Sequence, residues 1–273
     1  MAGPQAPESF SSRKNPQKGV AALNLVNVLL VIAVLTLAFP SASANAADES
    51  IDFVEPRNSE NYQARIIRYF GMIAFGQEGT SDVYPLRKWV SPVRVELRGL
   101  SNPAMRKAVQ STLAKLHRAT SFEIQLTEIH AEANLSIYVL PIHELRQAFK
   151  HEAFHELRSQ MDSFRCTGVS ISNERYEIVR AFVLIPSDKG EEVQRVCADE
   201  ELAQAMGLPN DSFEAVGSMF NDDGKTTELS QIDLDLLALL YHPRLKPGMS
   251  RDAAIRIAKQ VLPDILARKK SSN

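Results

Sequence analysis

The feature that most constrains this chain is a repeated change in the period of its apolar residues. In "NYQARIIRYFGMIAF", Ile66, Ile67, Phe70 and Ile73 recur at helical spacing, which predicts an amphipathic helix. "WVSPVRVELRG" then alternates Val93, Val95 and Leu97 at period two, the pattern of a strand with one buried face. "SNPAMRKAVQSTLAKLHRAT" returns to the helical period, with Ser101 or Asn102 as cap, Pro103 in the first turn, and Met105, Val109, Leu113 and Leu116 down one side. "FEIQLTEI", "ANLSIYVL" and "YEIVRAFVLIP" read as three further strands, with a helix opened by Pro141 and running to about Asp162 between the last two. Beyond them lie a helix ending at Gly207, an irregular stretch containing "FNDDGK", a helix capped by Ser230 and a last helix capped by Ser250. Alternation early and helices late predict an α/β (α+β) fold: a twisted mixed sheet packed under helices, with a helical C-terminal part.

Composition bounds the function. With 44% hydrophobic residues and a formal net charge of -2, the chain is of ordinary globular type. Basic residues are dispersed and aromatic residues make up 7%, so no charged stripe with stacking rings points to nucleic acid as a partner.

The N-terminus predicts export. A leader carrying Arg13, Lys14 and Lys18 precedes an uncharged stretch from Gly19 to Phe39, followed by Pro40 and "SASANAA". Ala44-x-Ala46 predicts a signal peptide over 1–46, cleaved after Ala46, into a periplasmic or secreted location. The alternative is an uncleaved anchor, since about 20 apolar residues span a bilayer, and that segment would then be the protein's contact with the membrane. Residues 47–85 form a lead-in with one helix, 86–250 the main domain and 251–273 a C-terminal helix. In an oxidising compartment Cys166 and Cys197 are expected to pair, stabilising the fold by roughly 3–4 kcal/mol in the chain-entropy account.

Two stretches carry candidate chemistry. "HEAFH" (151–155) fits His-Glu-x-x-His, in which two histidines one helical turn apart hold zinc. On a helical projection, however, His151 and His155 fall opposite the apolar positions Ile142, Leu145, Phe149, Ala153, Leu157 and Met161, beside Glu144 and Arg158. The metzincin continuation, Gly then His, is replaced by Arg158 and Met161. A solvated or structural face is expected, with a weak surface metal chelate as the alternative.

"EELAQAMGLPND" has the opposite profile. Laid on His-Glu-x-x-His-x-x-Gly-x-x-His, Glu201 takes the place of the general base and Gly207 that of the turn glycine. The ligand places hold Glu200, Gln204 and Asn210, with Asp211 adjacent. Two readings stay open on this stretch alone: Glu200 and Gln204 interrupt a buried stripe as parts of an inward-facing site, or Glu200 and Glu201 are solvent-facing helix charges and Gly207 an ordinary stop.

The flanks resemble the metzincin sequence that follows the zinc helix. Leu229, Ser230, Asp233, Leu240 and Tyr241 match in place, and the turn methionine corresponds to Met219 with a one-residue slip or to Phe220. "CADEELAQAMGLPNDS", "SMFNDD" and "LYHPRLKPGM" resemble an uncharacterised family of exported bacterial zincin-like domains, a degenerate relative of the metzincin metallopeptidases, over about Trp89 to Met249. The resemblance implies a zincin-like fold whose zinc histidines are replaced. Glu200, Gln204, Asn210 and Asp211 offer oxygen donors, poorly suited to zinc, so no cofactor is expected, with a hard divalent cation as the alternative. A non-catalytic module binding a peptide or an envelope protein follows. The competing reading is a hydrolase with Glu201 as general base.

Overall fold

The computed structural model describes residues 55–76, 82–99, 102–148, 166–223 and 225–267. The segment 1–46, where a signal peptide is expected, and the "HEAFH" motif with His151 and His155 lie outside them.

Local sequence sets most of the elements. Helix α1 (Glu60–Ile73) starts where the Ser59 side chain accepts from the Tyr62 amide, and buries Ile66, Tyr69, Phe70 and Ile73. The stretch read as one strand from Trp89 divides at Ser91-Pro92 into β1 (Lys88–Trp89) and β2 (Val93–Gly99); proline cannot donate to a ladder. Asn102 caps α2 (Pro103–Thr120). Of "FEIQLTEI" only β3 (Ile124–Leu126) forms a strand, and Ile129 beyond it is exposed. β4 (Leu135–Leu140) is followed by α3 (Ile142–Ala148). Two strands precede the last three helices: β5 (Thr167–Ser172), which the apolar pattern did not announce, and β6 (Glu177–Pro186). Then come α4 (Glu191–Ala205), α5 (Gln231–Leu240) and α6 (Arg251–Ala267).

The six strands form one sheet in which β6, β4, β2 and β3 lie side by side and parallel, as the α/β alternation requires. β1 adds to β6 in parallel, and β5 is antiparallel to β6. Register decides the faces. Val95, Leu135 and Ala181 stand in one row and, with Ile137, Val139, Val183 and Ile185, are fully buried. The opposite parity brings Glu96, Ser136 and Phe182 into one row on the second face. α2 packs on α4 and α5, and α1 and α5 pack on α6. α5 is so rich in leucine that Leu236, Leu237, Leu239 and Leu240 are all at 0% exposure, as expected of a helix surrounded by others. Arg57 and Tyr62 of the lead-in are fastened to this helix: Tyr62 Oη donates to Asp235 at 2.7 Å, and Arg57 pairs with the same carboxylate.

Candidate functional site

The site is built on α4. Glu191 and Glu192 occupy its first turn, where carboxylates meet the positive end of the helix dipole. The Cys166–Cys197 disulfide, with the two Cα atoms 5.7 Å apart, ties its middle to the start of β5. At its C-terminus Gly207 has φ of 112°, and a Cβ there would lie 2.3 Å from the Arg87 carbonyl oxygen. Only glycine fits that backbone and that approach. The carbonyls left over by the last turn find side-chain partners from far along the chain. Trp89 Nε1 donates to Ala205 O at 2.8 Å, and Tyr241 Oη to Met206 O at 2.9 Å.

The two glutamates differ in burial. Glu200 is half-buried, whereas Glu201 is 4% exposed. Glu201 therefore is no solvent-facing helix charge. Its carboxylate packs on β5, where a Cβ added to Gly168 would meet Oε2 at 2.9 Å; Cys197, one turn earlier, faces the same strand through its disulfide. Gln204, buried as well, donates to Asp211 Oδ1 at 2.9 Å. Asn210 turns toward α1. Its amide donates to Met72 O at 3.2 Å and to Asp211 O at 2.9 Å, and its Cγ would lie 2.6 Å from a Cβ on Gly76. Gln204, Asn210 and Asp211 thus come together, and they connect the end of α4 to the end of α1. Among the described residues no group of three or more His, Cys, Asp or Glu side chains is placed to hold a metal ion.

The loop that leaves α4 leads to the turn 218–220. Ser218 Oγ donates to Asp233 at 2.5 Å, and the Met219 amide reaches both carboxylate oxygens of Asp233 at 3.1 Å. Phe220, fully buried, accepts from the Ser212 amide at 2.9 Å, so the loop after α4 is fastened to the turn. Asp233 also closes the capping box of α5 with Ser230. Burial pushes its carboxyl up from the ordinary aspartate value, against the pull of the Ser218, Ser230 and Met219 donors.

Sequence reasoning missed the clamp formed by β1. Lys88 is buried and donates to Leu240 O at 3.0 Å, with its ammonium 5.2 Å from the Tyr241 ring centre. Burial, with a smaller contribution from Lys246, pushes it down to about 8. Lysine and tryptophan side by side before a proline carry no periodic signal. Their roles depend on helix ends more than a hundred residues away.

Among the described residues no helix is long and apolar enough to cross a membrane. Over residues 63–260 the chain matches a family described as "Protein of unknown function (DUF2927)". No curated protein matches it.

Proposed function

We propose, for a chain that belongs to the DUF2927 family, a role as a non-catalytic binding or structural module of the cell envelope, on a degenerate zincin-like fold. Support for the zincin-like ancestry is the order of parts: a helix ending at a positive-φ glycine, a return loop, a buried turn holding Met219 and Phe220, and a capped helix. The export signal expected from the sequence at 1–46 and the Cys166–Cys197 disulfide support an oxidising location.

The observation that carries the non-catalytic reading is the engagement of Gln204, Asn210 and Asp211 with one another and with Met72. Side chains standing at ligand positions serve as a polar cross-link between α4 and α1, doing mechanically what a bound metal does elsewhere. A carboxylate and two amides also suit zinc poorly. A peptide or an envelope protein is the partner class such a module would take.

A hydrolytic reading is favoured by one specific feature, the buried carboxylate of Glu201 at the general-base position. Glu200 and Asp211 would then hold a hard cation beside it. Metal analysis of the purified protein, combined with a general peptidase assay, separates the two. The non-catalytic module is expected to carry no stoichiometric metal, to melt at the same temperature in chelator and to cleave nothing. Stoichiometric metal lost on Glu200→Ala, or peptidase activity abolished by Glu201→Gln, overturns it.

A further inference from the structure

The second face of the sheet carries a buried charge with no role in the α4 site. Glu96, in the middle of β2, is at 0% exposure. Removing a carboxylate from water is costly, and an apolar residue of similar size in such a position is often neutral or stabilising. Its oxygens are therefore informative through what they hold. Oε1 accepts from Ser136 Oγ at 2.6 Å and pairs with Arg98 Nε at 2.8 Å. Oε2 meets His130 Nδ1 at 2.5 Å. Burial pushes the Glu96 carboxyl up, but the Ser136 hydroxyl, the paired Arg98 guanidinium and His130 outweigh it and hold the group below the usual glutamate range.

Both partners of the carboxylate, the Arg98 guanidinium and the His130 ring, reach solvent. The side chains of Arg98 and His130 are 41% and 66% exposed. Contact through Nε leaves the Nη hydrogens of Arg98 for a second acceptor, and its guanidinium plane is steadied by the Tyr138 ring, 5.7 Å from the centroid. Contact through Nδ1 assigns that hydrogen to the carboxylate and turns Nε2 of His130 outward; in the imidazolium form Nε2 donates. The two groups are anchored on the two oxygens of one carboxylate, which leaves each less freedom to lose on binding. Two further arginines stand on the same face, Arg94 paired with the exposed Glu123 and Arg180 over the Phe182 ring.

We propose that Arg98 and His130, positioned by buried Glu96, form a binding site for an oxyanion group, a carboxylate or phosphate borne by a ligand. Guanidinium geometry suits both anions through paired N–H donors, and His130, when protonated, supplies a third hydrogen through Nε2. Ser136 and Tyr138 are positioning residues, holding Glu96 and Arg98 respectively. The site is independent of Glu200, Glu201 and Gln204.

The test is a side-chain NMR titration of the intact chain with inorganic phosphate and, separately, with acetate, following the Arg98 guanidinium and His130 imidazole signals. Saturable shifts of both residues are expected, with affinity reduced about tenfold by Arg98→Gln and comparably by His130→Ala. Both variants alter exposed side chains, and their melting temperatures report whether the fold is kept; should Arg98→Gln fail to fold, His130→Ala alone carries the test. Saturation by phosphate alone assigns a phosphate-bearing ligand, and saturation by acetate alone a carboxylate. Shifts that stay linear for both anions, or binding that survives His130→Ala unchanged, overturn the proposal.

Discussion

The indole Nε1 of Trp89 donates to the carbonyl of Ala205 across 2.8 Å, joining a two-residue strand to the last turn of a helix 116 positions later. Trp89→Phe keeps most of the ring and removes the donor, leaving a buried carbonyl unsatisfied. A loss of about 1–3 kcal/mol is expected in denaturant unfolding. A loss within error of zero would show that the Ala205 carbonyl has another partner.

Gly207 is the point at which α4 must stop. Gly207→Ala would place a methyl 2.3 Å from the Arg87 carbonyl in a backbone of φ 112°, and is expected to cost at least about 2 kcal/mol. Gly190, where an added Cβ meets nothing within 4 Å, is the control: Gly190→Ala should cost clearly less in the same unfolding assay.

The orientation of Glu201 is open to a double-mutant cycle. Gly168→Ala forces the new methyl against Glu201 Oε2 and is expected to destabilise. On a Glu201→Ala background that penalty should shrink, giving a coupling on the order of 0.5–3 kcal/mol. Strict additivity would place the carboxylate away from β5.

Lys88 makes stability depend on alkaline pH. Its amine sits at about 8 in the folded protein against the ordinary lysine value of 10.5 in the unfolded chain. Between those values the unfolded chain still binds a proton that the folded protein has released, so the contribution of this group to stability rises with pH across that window. The cost of the buried cation is present in full below about 8. Measured from pH 7 to 10.5, the stability of the wild type relative to Lys88→Met should therefore shift in favour of the wild type. A pH-independent difference would mean that Lys88 keeps its proton.

Reduction of Cys166–Cys197, or the paired Cys→Ser variant, should cost roughly 3–4 kcal/mol in the chain-entropy account, read as a lower denaturant midpoint with the fold retained at moderate temperature. An unchanged midpoint would show that the disulfide adds nothing to stability.

Much of the architecture was legible because it is written at short range. The helical spacing of Ile66, Phe70 and Ile73, the alternation of Val93 and Val95, the Asn102 cap and the Ser230 capping box are all properties of neighbours within one or two turns, and each produced its element. β5 was not legible: "TGVSIS" has no strong apolar alternation, and as an antiparallel neighbour of β6 it is half-buried along most of its length. The candidate site was legible in part. Spacing alone drew attention to Glu200, Glu201, Gln204 and Asn210, but could not assign their partners.

The sequence by itself determined which segments could be strands or helices, where α4 had to end, and which two cysteines could pair, since these follow from periodicity, from the need for a glycine at positive φ and from the presence of one cysteine pair. Tertiary structure alone decided that Glu201 faces Gly168, that Asn210 reaches back to Met72, that Lys88 and Trp89 close the ends of two helices, and that Glu96 holds Arg98 and His130. Contacts such as Asn210 to Met72 or Trp89 to Ala205 join residues more than a hundred positions apart. Their geometry is set by how the sheet and helices stack once the core closes, a property that no local run of residues encodes.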